Sequence, residues 1–395
     1  MTNIRPLDGI TVLALEHAVA APICTRHLAD MGARVIKIER LGSGDFARGY
    51  DQRVDGMCSY FVWANRSKES ITLNLKHPEA LAVLRALVAK SDVLVQNLAP
   101  GTAARMGMSF EALRVKHPRL IVCDISGYGA DGPYRDKKAY DLMVQAESGL
   151  MAATGTPESM ARAGISAADI SAGMYAYSGI LAALLLRGRT GEGSHIDVAM
   201  FEALAEWMGN PLYYSYKGQP PPVRTGGAHP SVLPYGPTPV GDGQTVMLAV
   251  QTANEWSNFC KIVLRQPAVE TDPRFASNPL RQQHRAELDA IIAECFATLT
   301  RDEVEARLEQ AQLATARVNT AADLWTHPQL QARGQWQEVA SPNGHFTALL
   351  PPARNNRFKP RMDAVPGVGQ HTDALLQELG YSAERIAQLR AAQAV

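Results

Sequence analysis

Ile10-Thr-Val-Leu-Ala-Leu15-Glu-His-Ala-Val-Ala-Ala-Pro22-Ile-Cys-Thr-Arg-His-Leu-Ala-Asp30-Met-Gly-Ala-Arg34-Val-Ile-Lys-Ile-Glu39 decides the fold. Ile10 to Leu15 is apolar and rich in strand formers, so it reads as a buried strand, and Arg34 to Glu39 reads as another. Between them, Pro22 to Met31 has the length of a short helix. A strand, a crossover helix and a strand make a right-handed βαβ unit with parallel strands. The pattern then repeats, with a strand at Ser70–Asn74, an amphipathic helix from His77 to Ala89, and strands at Asp92–Gln96 and Leu120–Ile125. A long helix is expected from about Ser171 to Leu186, followed by a strand at Ser194–Val198 and a helix from Met200 to Met208. Such alternation predicts an α/β fold, a Rossmann-like large domain around a parallel sheet that binds ligands at its carboxyl ends.

Farther along, residues 211–243 are rich in proline and carry Gly226-Gly227, which reads as an irregular linker. A smaller α/β domain is expected over 244–328, with residues 329–395 returning to the large domain, whose first part is 1–210.

Composition narrows the function classes. The 395 residues hold 39 basic and 39 acidic side chains, which gives no overall electrostatic pull toward nucleic acid or a membrane surface. Cys24, Cys58, Cys123, Cys260 and Cys295 are scattered, without the short spacings of a zinc site or disulfide framework, so no metal is expected and a reducing cytoplasm is. The N-terminus lacks a signal pattern. The apolar stretch Met174–Leu186 is short for a bilayer span.

Two motifs carry the chemistry. Gly127-Tyr-Gly-Ala-Asp-Gly132 matches a dinucleotide fingerprint in letters, but Pro133 follows where the phosphate-binding helix should open, so no nicotinamide or flavin is expected. Asp169 is different. It is a lone acid where an apolar helix begins, and it reads either as the helix N-cap or as a carboxylate that the helix terminus keeps ionised for attack. Around it, Arg40, Lys76, Asn97, Arg105 and Lys138 fall at or beyond strand ends. They are either a solvated fringe or a cradle for a phosphorylated ligand.

Taken together, the chain resembles the family III CoA-transferases, which include formyl-CoA:oxalate and carnitine CoA-transferases. The resemblance rests on Pro6-Leu-Asp-Gly9, His17-Ala-Val-Ala-Ala-Pro22, Gly32–Arg40 with Gly42-Ser-Gly-Asp45, Asn97-Leu-Ala-Pro-Gly101 with Arg105-Met-Gly107, and Ser126-Gly-Tyr-Gly129. It continues through the Asp169 segment, Thr190-Gly-Glu-Gly193, Asp197-Val-Ala-Met200 and Gly369-Gln-His-Thr-Asp373. The resemblance implies that Asp169 is a nucleophile passing through aspartyl anhydrides and an aspartyl-CoA thioester. It further implies that Arg40, Lys76, Asn97, Arg105 and Lys138 contact CoA, with His17, Ala18 and Val19 at the thioester end and Tyr140 and Met200 beside the substrate. Gly226-Gly227 falls where the family has a mobile loop.

No tightly bound cofactor is implied; the CoA thioester is a substrate. Two chains are expected to interlock as a homodimer. The Arg224-Thr-Gly-Gly-Ala-His229 region looks like the branch using succinyl-CoA and short dicarboxylates such as itaconate, mesaconate or citramalate, with Arg48, Arg224 and His229 as candidates for the distal carboxylate. The alternatives are a formyl-CoA- or carnitine-type CoA-transferase, or an α-methylacyl-CoA racemase of the same fold, although Tyr140 stands where the racemase branch carries histidine.

Overall fold

The computed structural model describes residues 4–395, which divide into two compact units. The first comprises residues up to Leu150, Ala163–Asn210 and Ala332–Val395; the second comprises Met151–Arg162 and Pro211–Gln331.

The first unit is built on six parallel strands, β1 (Thr11–Leu15), β2 (Arg34–Glu39), β3 (Lys68–Thr72), β4 (Val93–Gln96), β5 (Ile121–Ser126) and β6 (His195–Ala199), in the order β3-β2-β1-β4-β5-β6. That is the Rossmann order. Alternation along each strand sorts side chains between two apolar layers. Val12, Ala14, Val93 and Val95 face the helices Ala20–Asp30 and Ala167–Thr190. Leu13, Leu15, Ile36, Ile38 and Leu94 face Pro78–Ala89 and the C-terminal helices Thr372–Glu378 and Ala383–Ala391.

The order reverses between β1 and β4, whose partners run Val12↔Val93 to Leu15↔Gln96. At such a point the connections leave in opposite directions and open a crevice at the carboxyl ends of the two strands. The residues that follow, Glu16–Val19 and Asn97, therefore sit at its mouth.

The helix Ala167–Thr190 is longer than its sequence pattern suggested, with 24 residues. In length and composition it could cross a bilayer, so the expectation that this stretch is too short fails. Its Ala168, Ala172, Ala176 and Ile180 instead belong to the sheet's apolar layer. Gly173 permits that packing at close range, because a Cβ there would lie 2.6 Å from the Ala20 carbonyl oxygen.

The second unit carries three antiparallel strands, β7 (Tyr235–Pro239), β8 (Thr245–Ala249) and β9 (Ala314–Arg317), in that order. Helices including Arg285–Phe296 and Arg301–Gln310 cover it through Phe259, Leu288, Ile292, Phe296 and Leu308. The strand β7 lies inside the stretch expected to be irregular. Pro237 and Pro239 hide it in the sequence, and as an edge strand β7 tolerates their missing donors.

Candidate active site

The turn after β1 is clamped by side chains. The His17 backbone N–H donates to Asn97 Oδ1 at 3.0 Å, and Asn97 Nδ2 returns a hydrogen bond to the His17 carbonyl at 2.9 Å. Ala18 has φ +61°, left-handed backbone that residues with a Cβ rarely adopt, and its N–H donates to Asp45 Oδ1 at 3.2 Å. Val19 is buried with Ile23 and Ala64, and this small cluster also takes in Ala18 and Ile170. Ile170 is the neighbour of Asp169, so the turn and the start of the long helix share one apolar contact.

Beside the turn opens a cavity of about 850 Å³, lined among others by His17, Arg40, Asp45, Phe46, Lys76, Thr102 and Tyr140. The volume suits a sizeable ligand. The His17 ring packs on Phe46 with centroids 4.9 Å apart, and Phe46 on Tyr50 and Tyr50 on Tyr60 continue a ladder of rings. Burial is the main reason the His17 imidazole titrates below its ordinary range. Arg40 and Lys76 are exposed and make no ion pair among the described residues, which leaves both free to meet an anion. Arg105 is exposed and donates to Thr102 Oγ1 at 2.8 Å. Lys138 is exposed and lies outside the cavity lining, and Met200 is buried in the sheet's apolar layer.

Asp169 is not a helix cap. The helix starts at Ala167 with Ser166 as its N-cap residue, and the carboxylate that receives its free amides is Asp141, at the start of the helix Asp141–Glu147. Asp141 Oδ1 accepts from the Ala168 N–H at 2.8 Å and from the Asp169 N–H at 3.4 Å, while Oδ2 accepts from Gln145 Nε2 at 2.7 Å. Relieved of capping, the Asp169 carboxylate has no hydrogen bond among the described residues. Burial, with the Asp141 charge adding to it, pushes its pKa up to about 7. Desolvation thus opposes the pull of the helix terminus that was expected to keep this acid ionised.

Asp169 and Tyr50 lie outside the cavity lining, and Tyr50 adjoins it through its ring contact with Phe46. Burial pushes its phenol up to about 12, and the charges of Asp45 and Asp169 and the Tyr140 hydroxyl add to the shift. Tyr140, directly before Asp141, is exposed and lines the cavity.

Two candidates for a substrate carboxylate are otherwise engaged. Arg48 forms a two-pronged pair with Glu39 at 2.8 and 2.7 Å and lies 3.6 Å over the Phe61 ring. Arg224, in the second unit, donates to the carbonyls of Ala152, Thr156 and Pro157. A guanidinium with its fork filled is a brace, not a free ligand. His229 accepts the Ser231 and Val232 amides at Nδ1 and stacks on Tyr235, which leaves Nε2 as the donor of the neutral ring. In the same unit the Gly226 N–H donates to the Gly155 carbonyl at 2.8 Å, and a Cβ on Gly227 would lie 2.9 Å from Pro237.

Sequence reasoning did not single out Asp141, Phe46, Tyr50, or the buried charges Glu16, Lys37 and Asp45. A signal was present for Lys37, an ionisable residue alternating with Ile36 and Ile38 inside a buried strand.

A family model described as CoA-transferase family III matches residues 7–372. The chain belongs to that family. Among its relatives, the succinate–glutarate CoA-transferase of Agrobacterium fabrum is 35% identical over 95% of this chain and 96% of its own length. The succinyl-CoA–D-citramalate CoA-transferase of Chloroflexus aurantiacus is 32% identical over 99% of this chain and 98% of its own. Of solved structures, a CAIB/BAIF family protein from Brucella suis superposes with a TM-score of 0.85 at 33% identity, covering 95% of this chain and 99% of that one. This family III member is a CoA-transferase, and the transferases it resembles use CoA thioesters as substrates.

Proposed function

We propose that the enzyme moves CoA from succinyl-CoA to a short dicarboxylic acid, with itaconate the first acceptor to test and mesaconate and citramalate close behind. The observation that carries this reading is the Asp169 carboxylate, half-buried, without hydrogen-bond partners among the described residues, with its neighbour Ile170 packed against the Ala18–Val19 turn. Its attack on the thioester carbonyl forms an acyl-aspartyl anhydride and releases CoA thiolate. The thiolate attacks the aspartyl carbonyl, expels succinate and leaves an aspartyl-CoA thioester. The acceptor's carboxylate attacks that thioester, giving a second anhydride and freeing the thiolate again. Thiolate attack on the new acyl carbonyl forms product and restores Asp169. An apolar setting around Asp169 suits these steps, because water would hydrolyse either anhydride.

In this reading Arg40 and Lys76 meet the phosphates of CoA, Arg105 and Lys138 extend that cradle, and Asn97 holds the His17–Ala18–Val19 wall for the thioester. Tyr140 and Met200 belong to the acyl side, and the Gly226-Gly227 segment acts as the mobile loop that the family resemblance implies. With Arg48 and Arg224 engaged, His229 is the remaining candidate for the distal carboxylate. The interlocked homodimer belongs to the same proposal, supported by Leu185 and Leu186 standing exposed on the long helix. The five unpaired cysteines support a reducing cytoplasm.

Succinyl-CoA offered with itaconate, mesaconate, citramalate, glutarate, oxalate and carnitine tests the assignment. Exchange with the C5 dicarboxylates is expected. Exchange confined to oxalate or carnitine would overturn the branch, and α-epimerisation without exchange would favour the racemase.

A further inference from the structure

We propose that Asp45, held by the buried Lys37, is a positioning residue that clamps the Glu16–Val19 turn in the geometry CoA transfer requires. The inference rests on the proposal that this turn faces the thioester. Ala18 sits at φ +61°, where its methyl group is unfavourable, so something must hold it there. Asp45 Oδ1 accepts the Ala18 N–H at 3.2 Å and the Ala47 N–H at 3.0 Å, while Oδ2 accepts from Lys37 Nζ at 2.9 Å. Lys37 is fully buried, and Nζ also reaches the Glu16 carbonyl at 3.4 Å and Glu16 Oε1 at 3.3 Å. One ammonium thus grips the turn at Glu16 directly and at Ala18 through Asp45.

The clamp is itself anchored. Glu16 Oε1 accepts from Lys68 Nζ at 2.6 Å, Glu16 Oε2 accepts from Thr25 Oγ1 at 2.6 Å, and the Asp45 N–H donates to Glu39 Oε2 at 2.8 Å. Well-packed apolar residues usually serve stability as well as a buried ion cluster does. What they cannot supply is a directed acceptor for one strained amide. A reacting carbonyl misplaced by about 1 Å can cost about 10²-fold in rate.

Asp45→Asn is expected to lower kcat about 10- to 100-fold. Binding of CoA itself, measured by calorimetry, should stay within about twofold, because Arg40 and Lys76 are untouched. Amide exchange in the 16–20 segment should quicken. Adding Ala18→Gly should restore most of kcat, since glycine takes positive φ without strain. The charge-balanced double variant Lys37→Met/Asp45→Asn avoids an unpaired buried charge; it carries the same expectations should Asp45→Asn fold poorly. Unchanged kcat, or a loss that Ala18→Gly does not rescue in folded protein, would overturn the clamp. Unchanged exchange would overturn it whatever the activity, whereas wild-type inactivity on the whole acid panel would count against the functional proposal alone.

Discussion

Two regions of the first unit bury carboxylates and treat them in opposite ways. Around Lys37, burial alone would raise Glu16 and Asp45, yet the neighbouring lysines outweigh it and both carboxyls are held below their ordinary range. Lys37 itself is held up by Glu16, Asp45 and Glu39 against the same burial. At Asp169 burial acts unopposed, a like charge stands nearby, and the pKa rises to about 7. Glu16 and Asp45 are the more deeply buried and yet are the ones held ionised, so the difference lies in the partners. Paired charges fix a shape, whereas an unpaired one is left available for chemistry.

The largest effect should come from removing the unpaired acid. Asp169→Asn is expected to lower turnover by at least about 10⁴-fold. The same variant should be more stable than wild type at pH 8, by at most about 4 kcal/mol. With its pKa raised, the folded protein keeps the proton from the ordinary carboxyl value of 3.8 up to about 7 while the unfolded chain loses it, so wild-type stability falls as pH rises through that window. Urea unfolding at pH 8 and pH 4 should therefore show a gain that disappears at the acid end. Equal stability at both pH values would break the contrast between the two regions.

Next in size is the CoA cradle. Arg40→Ala and Lys76→Ala should each raise KM for the acyl-CoA about 5- to 10-fold with kcat nearly unchanged, a loss of about 1 kcal/mol for an exposed charged contact. A fall in kcat alone would place these cations elsewhere in the cycle.

The acid's environment can then be divided between its two causes. Asp141→Asn removes the like charge but leaves the burial, so the rising limb of single-turnover rate against pH should move below about 7 and stay above the ordinary carboxylate range. A limb that does not move would mean that burial alone sets it.

The smallest effect belongs to the paired region. Arg48→Lys forfeits the two-pronged contact with Glu39 and should lower stability by about 1 to 3 kcal/mol, leaving KM for the acceptor acid unchanged. A raised acceptor KM would return Arg48 to the substrate.

Much of this was legible in the sequence. Short apolar runs between turn signals located all six parallel strands to within about two residues, because the central strands are buried on both faces and read as near-continuous apolar stretches. Asp169 stood out as one acid against an uncharged helix. What escaped depends on distant pairing. The acid that caps the long helix is Asp141, 28 residues before Asp169, and the groups that fill the Arg224 fork lie 67 to 72 residues away. The strand β7 was masked by prolines that only its edge position excuses.

Gly173 gives these observations a common datum. It lies one helical turn beyond Asp169, and with no side chain of its own it lets the long helix rest on the carbonyl of Ala20, the first residue after the clamped turn. Nucleophile and thioester wall are thereby referenced to a single backbone contact, as two machined parts are dimensioned from one face. Such a fit has almost no tolerance: the smallest possible addition, one methyl at position 173, would have to move one part relative to the other.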